Sequence, residues 1–428
     1  MTVGFDVTWM EADNKSGGVF QYAFRLISAL VEYTNISVVA IVSNSGKGIF
    51  EHLKPHQNFR EVLLEPSLSL KDIVESEKLD VIHSPVQTFP NLTFTVPMIS
   101  TLHDLQHFYY PEFFTQHAIE SRDTSYRHAA EFSERVIVSF QHVKEDIVKF
   151  YGIPAEKIDV CPLGTIQPEF SENRIFSGKM KKYHIPDKYI FYPANTWRHK
   201  NHISLIRALK TVREKNDISI ALVCTGQKCA DHYPDLKSEV KKLGLEKHVF
   251  FTGYIPEEDV RVLLKKASLV VIPTLYEAGS FPLMEAMAYE VPVICSDVTS
   301  LPDTIGDRRF VFDPKDIDQI AERISMMLKD ERLLEDNRTN SRKRVSEGGW
   351  DNVVDNFLKT YAKAITSSKE NKDMGTIKNK IRIYELLMND SMEQMRMHID
   401  AFQSSLSWKI TAPLRWLHHK LITKQNMR

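Results

Sequence analysis

From Pro273 to Ala288 the chain reads PTLYEAGSFPLMEAMA, directly after the apolar run SLVVIP. Two glutamates, Glu277 and Glu285, stand eight positions apart around Gly279-Ser280-Phe281-Pro282. Proline is tolerated in the first turn of a helix, where its missing N–H costs nothing. The spacing therefore predicts a strand that ends near Pro273 and a helix that starts around Phe281. The backbone N–H groups of Gly279, Ser280 and Phe281 then face outward at the positive end of that helix, an anion site suited to a diphosphate. Gly279 permits close backbone approach. Glu285, in the first turn, is placed to bond a ribose diol. Glu277, just ahead of the turn, can reach a sugar hydroxyl or a partial positive charge at a reacting carbon. Taken alone, the two glutamates are also what any helix N-terminus favours electrostatically.

Short apolar runs alternate with amphipathic stretches nearly throughout, the pattern of βαβ units and a parallel sheet. In the first half the expected strands are TVGFDV, ISVVAIV, DVIHS, PMISTLH, RVIVS and IDVCPLG. A helix such as VFQYAFRLISALVEY carries Phe20, Ala23, Phe24, Ile27, Leu30 and Val31 at a 3.6-residue period. A polar stretch, TIQPEFSENRIFSGKMKKYHIPDK, reads as a linker, after which YIFYPA, ISIALVCTG, HVFFTGY, SLVVIP, VPVICS and FVFDP start a second series. The expected fold is α/β: two Rossmann-like, doubly wound domains, 1–172 and 173–366, facing a central cleft in which a shared ligand lies at the carboxyl ends of the strands. A third, helical appendage is expected over 367–428. Met374, Ile377, Ile381, Tyr384, Met388, Met395 and Phe402 fall there on heptad positions, a candidate coiled coil.

The 428 residues exceed a single core, and their 43% hydrophobic and 26% charged residues are ordinary for globular chains. The formal net charge of −1 offers no global field to recruit nucleic acid. The N-terminus has no basic-then-apolar leader pattern, and no run approaches a membrane span. Cys161, Cys224, Cys229 and Cys295 match no zinc or redox signature, which fits a reduced, cytoplasmic setting. The one Asp-x-Asp, Asp316-Ile317-Asp318, reads as a helix cap, so neither metal nor cofactor is expected.

The run GYIPEEDVRVLLKKASLVVIPTLYEAGSFPLMEAMAYEVPVICSD closely resembles the nucleotide-binding half of glycosyltransferase family 4, whose members are retaining, metal-independent enzymes of the GT-B fold. The family's order is kept at Gly253, Pro256, Pro273, Thr274, Glu277, Glu285, Ala286, Met287 and Ala288, with departures from glycine at Ala278 and Ser280. In YPANTWRHKNHISLIRAL the family's diphosphate-binding lysine falls on Lys200. Its arginine position is Asn195, so that role goes unfilled unless Arg198 swings in. The resemblance places base recognition near Thr225, Gly226, Gln227 and Tyr254. It lays Gly17 and Gly18 over the donor phosphates and turns His103 toward the donor sugar, with His83 and Asp104 as secondary candidates. The charge stabilisation then rests on Lys200 and helix amides rather than on a metal.

The end of the chain, SLSWKITAPLRWLHHKL, is similar to a segment that ends many bacterial polysaccharide glycosyltransferases. Trp408 and Trp416 supply apolar anchors and Lys409, Arg415 and Lys420 cations, a mixture suited to an anionic membrane or to packing on protein. The resemblance implies transfer of a hexose, mannose from GDP-mannose first among the candidates, to a growing, lipid-linked surface glycan at the inner face of the cytoplasmic membrane. Self-association or a partner transferase is expected through the heptads. A non-catalytic scaffold, or another GT-B enzyme such as a sugar-nucleotide epimerase, is the alternative.

Overall fold

The computed structural model describes residues 1–12, 17–88, 94–165, 183 and 185–370. Most of the expected linker, the heptad seam, and Trp408, Lys409, Arg415, Trp416 and Lys420 lie outside the described residues.

The first half forms a seven-stranded sheet: β1 (Thr2–Asp6), β2 (Ser37–Val42), β3 (Phe59–Leu63), β4 (Val81–Ser84), β5 (Met98–Thr101), β6 (Arg135–Val138) and β7 (Ile158–Val160). Its spatial order is β3-β2-β1-β4-β5-β6-β7. The second sheet has β8 (Tyr189–Pro193), β9 (Ala221–Thr225), β10 (Val249–Gly253), β11 (Leu269–Ile272), β12 (Val293–Ser296) and β13 (Val311–Phe312), in the order β10-β9-β8-β11-β12-β13. Every pairing is parallel. Both sheets reverse their winding beside their first strand, which opens a crevice at the carboxyl ends.

Most of the strands were legible because a parallel sheet covered on both faces needs near-continuous Val, Ile and Leu runs. β3 is the exception. FREVL carries Arg60 and Glu61, and it pairs only with β2 at the sheet's edge, where charge is tolerated.

The helix Phe281–Ala288 is apolar nearly all round, and the structure explains why. Phe281, Met284 and Ala288 enter the core under the first sheet, while Leu283, Ala286 and Met287 enter the core of the second. The helix is a wedge between two cores, and Glu285 is its one charged residue. The helix Trp350–Glu370 also ties the halves together. It follows the second sheet in sequence, yet Trp350, Val353, Val354, Phe357, Tyr361 and Ala364 pack beneath the first.

Candidate functional site

Lys200 is held by its backbone. The short turn Arg198–Lys200 follows β8 and ends on Asn201, whose left-handed conformation (φ 56°) reverses the chain into the next helix. Asn201 Nδ2 donates to the carbonyls of Pro273 and Pro314, at 2.9 and 2.8 Å. Tyr192 donates to the Lys200 carbonyl (3.0 Å), and the His199 carbonyl accepts from Leu275 N (2.7 Å) and from Thr274 Oγ1 (3.0 Å). The lysine loop is thereby sewn to the exit of β11, which carries Glu277. Across that seam Lys200 Nζ meets Glu277 Oε2 at 2.5 Å, both side chains largely buried.

Beyond Glu277 the chain turns through Ala278 and Gly279 into the wedge helix. The Glu277 and Ala278 carbonyls are fixed by the hydroxyls of Thr299 and Ser300. Ser280, one of the two departures from glycine, is the helix N-cap: its Oγ accepts from Leu283 N at 3.3 Å. The amides of Gly279, Ser280 and Phe281 donate to no group among the described residues and remain open for an anion. Gly279 packs closely: a Cβ there would lie 2.7 Å from the Phe140 ring and 2.8 Å from Leu163 of the first half, so those side chains would have to shift.

These residues border a cavity of about 420 Å³ in the interdomain cleft. Gly17, Gly18, Asn195, Lys200, Gly226, Tyr254, Glu277, Gly279, Ser280, Phe281 and Glu285 all line it. Among the described lining residues Lys200 is the only Lys or Arg. A second cavity of about 200 Å³ shares Gly18, His199, Glu277, Gly279 and Phe281, and adds His103, Asp104, Tyr22 and Phe140 from the first half. The two meet at Glu277.

Arg198 lies elsewhere. Its Nη2 donates to the Asp231 carbonyl at 3.1 Å and pairs with Asp235 at 3.4 Å, outside the cavity lining. Asn195 is not a substitute cation but a fastener: its Oδ1 accepts from Gln227 N at 2.7 Å and binds the loop after β8 to the loop after β9. Gly226 sits in that joint at φ 104°, where a Cβ would come within 2.7 Å of the Ala194 and Asn195 backbone. Only glycine fits both the dihedral and the space.

His103 donates through Nε2 to the Pro85 carbonyl at 3.1 Å, and the edge of Tyr22 packs on its ring. Burial holds its pKa below the ordinary histidine value, so the ring is neutral, and Nδ1, without a partner among the described residues, can accept. His83 is fully buried, bonded on both nitrogens to Tyr361 and Thr101, and lines neither cavity. Its role is to brace the returning helix. Glu285 reaches the larger cavity but is otherwise surrounded by protein, and burial pushes its carboxyl up to about 7.

Several lining residues were not singled out in the sequence. His199 borders both cavities, and burial, with Lys200 beside it, pushes its ring down to about 3. Its place in WRHKNH next to the lysine was the available signal. Tyr192, Trp197, Tyr22 and Phe140 carried no signal, because their positions depend on how separate loops converge. Asp316 caps the helix Ile317–Lys329 through Gln319 N, as its sequence context predicted. Among the described residues no cluster of His, Cys, Asp and Glu has the form of a metal site, and no helix is long and apolar enough to cross a membrane.

Two family models cover most of the chain: Glycosyltransferase Family 4 over residues 16–165 and Glycosyl transferases group 1 over 178–344. O-antigen chain mannosyltransferase B of Escherichia coli is 24% identical over 61% of this chain and 69% of its own length. O-antigen chain mannosyltransferase RfbU of Salmonella typhimurium is 25% identical over 71% of this chain and 85% of its own length. The crystal structure of Anabaena HepE with UDP and glucose superposes with a TM-score of 0.64 at 17% identity, covering 85% of this chain and 99% of that one. With the paired parallel sheets and the Glu277–Glu285 segment at their cleft, these matches establish that the chain is a GT-B protein and belongs to glycosyltransferase family 4.

Proposed function

We propose that the chain is a retaining hexosyltransferase that moves mannose, from GDP-mannose, to a growing, lipid-linked surface glycan. The observation that carries this reading is the Lys200–Glu277 pair beside the open amides of the wedge helix, at the junction of the two cavities. In this reading the donor diphosphate lies between the Lys200 ammonium and the amides of Gly279, Ser280 and Phe281. The ribose diol bonds Glu285, and the base rests toward Gly226 and Tyr254. The hexose extends past Glu277 into the smaller cavity, where His103 Nδ1 accepts from a sugar hydroxyl.

In the empty cleft Lys200 and Glu277 neutralise each other. When the donor enters, Lys200 turns to the diphosphate and leaves the Glu277 carboxylate to the hexose. As the glycosidic bond breaks, negative charge accumulates on the leaving diphosphate. A cation and amides fixed beforehand stabilise that charge without reorganising. Lys200 and the amides take the part that a divalent ion would otherwise play.

The names of the E. coli and Salmonella relatives support mannose as the sugar and an O-antigen-type glycan as the product. The cationic, Trp-bearing end, Trp408 to Lys420, supports a membrane-bound acceptor and peripheral attachment at the cytoplasmic face. Incubation with GDP-mannose and a panel of other nucleoside diphosphate hexoses, in EDTA, tests the reading. The expected result is slow release of mannose with the donor's anomeric configuration. Release only after magnesium or manganese is added, an inverted product, or cleavage of none of the donors would contradict it.

A further inference from the structure

Phe281 and Glu285 are four residues apart on the wedge helix and so share one face. From the other half of the molecule Arg25, on the first helix, Gly18–Tyr33, approaches that face. Its guanidinium carbon lies 5.8 Å from the centroid of the Phe281 ring. Its Nε is buried and has no hydrogen-bond partner among the described residues. From these contacts we infer that Arg25 is a positioning residue that reaches across the domain boundary and keeps the nearby Glu285 carboxylate charged for the donor ribose. The inference rests on the ribose contact proposed for Glu285.

The charged groups around Glu285 agree with this assignment. Burial is the largest influence on its carboxyl and favours the protonated form. Arg25 opposes burial from the first half, and from the helix Glu257–Lys266 Arg261 opposes it while Glu257 reinforces it. Two cations and one anion therefore act on a carboxyl that sits near about 7. The sign follows directly. Below that point the acid is protonated and offers a diol a poorer acceptor; above it the carboxylate accepts both hydroxyls. The phosphates of a nucleoside diphosphate sugar are diesterified and keep their charge across this range, so a titration of donor affinity there belongs to the protein.

The test uses the full chain and two readouts. The first is the ¹³C NMR titration of the Glu285 carboxyl without ligand; the second is the affinity for GDP-mannose from about pH 5.5 to about pH 9, spanning the midpoint of a raised carboxyl. In the parent, affinity should rise as pH climbs through about 7. Arg25→Met should move both midpoints up by roughly one unit, the size expected for losing a nearby opposite charge. Binding should then be weak at neutral pH and recover in alkali. Arg25→Lys should stay close to the parent, which separates charge from packing and gives a second variant if the methionine one folds poorly. In an Glu285→Gln background, affinity should be low and flat with pH, and Arg25→Met should change nothing further.

An unmoved carboxyl midpoint in Arg25→Met overturns the inference, as does an equal loss of affinity at every pH in both backgrounds. If Glu285→Gln binds donor as the parent does, the ribose contact itself is wrong. If Glu285→Gln is weak and flat while Arg25→Met follows the parent curve, only the role of Arg25 fails.

Discussion

The wall of the cleft built by the second sheet and the wall built by the first position their side chains in different ways. On the second, Lys200, Gly226 and Glu277 sit on the exit loops of the adjacent strands β8, β9 and β11, which neighbouring strands and loops pin through backbone carbonyls or amides, and Ser280 caps its own helix. On the first, His103, Tyr22 and Phe140 come from distant segments; ring contacts place them together with the Pro85 carbonyl on His103 and a buried Tyr22–Thr101 hydroxyl pair. The charge that a diphosphate needs is concentrated on the pinned wall, as electrostatic stabilisation requires. The looser first wall, which carries no Lys or Arg among its described lining residues, is suited to a sugar and to the acceptors that must enter and leave.

If this division of labour is right, damage to the pinned wall should cost most. Glu277→Gln should lower kcat by about a hundredfold or more. Because the change also frees Lys200, the KM for donor should stay level or fall. Stopped-flow or steady-state kinetics with GDP-mannose read both parameters, and a raised KM with normal kcat would mean that Glu277 only helps binding. Gly226→Ala should come next. It puts a Cβ against backbone at 2.7 Å in a left-handed position. Strain of about 1–3 kcal/mol is expected, or roughly a tenfold loss of donor affinity, since about 1.4 kcal/mol is one decade. Gly279→Ala should be milder, because the atoms it meets are side chains of Phe140 and Leu163 that can move. A few-fold loss in kcat with a small drop in Tm would fit, and a loss as large as that of Gly226→Ala would show the two walls to be equally rigid.

The buried histidines of both halves should leave their mark on stability rather than on turnover. Burial depresses His83, His103, His199 and His202, so the folded chain stays unprotonated where the unfolded chain begins to take up protons near 6.5. Stability should therefore fall as pH drops below about 6.5 and go on falling toward about 3. Urea unfolding across that window checks the sign. Turnover should have no limb from His103 above pH 6.5, since the ring is already neutral there.

The same contrast decides what could be read from the sequence. The pinned wall was legible because its chemistry is local: β11, the Glu277–Glu285 segment and its turn occupy one continuous stretch, and Lys200 follows β8 within a few residues. The first wall was legible only at Gly17, Gly18, His103 and Asp104, and through resemblance. Phe140 and Tyr22 matter because of which loops meet, a property of the closed cleft. Ser280 and Asn195 looked like losses of function against the family pattern, yet the structure gives each a hydrogen bond that a glycine or a diphosphate-bound arginine would not make. The destination of the helix Trp350–Glu370 was hidden for the same reason. Its apolar stripe announces that one face is buried, but not under which sheet.

The central claim is that one lysine, with helix amides, holds the donor diphosphate. Calorimetric titration of GDP-mannose into the parent and into Lys200→Ala, both in EDTA, tests it most directly. The account predicts binding by the parent without metal and at least about a tenfold weaker dissociation constant in the variant, the loss of one charge-assisted contact worth about 1.5–3 kcal/mol. Equal affinity in parent and variant, with both folded, would contradict it.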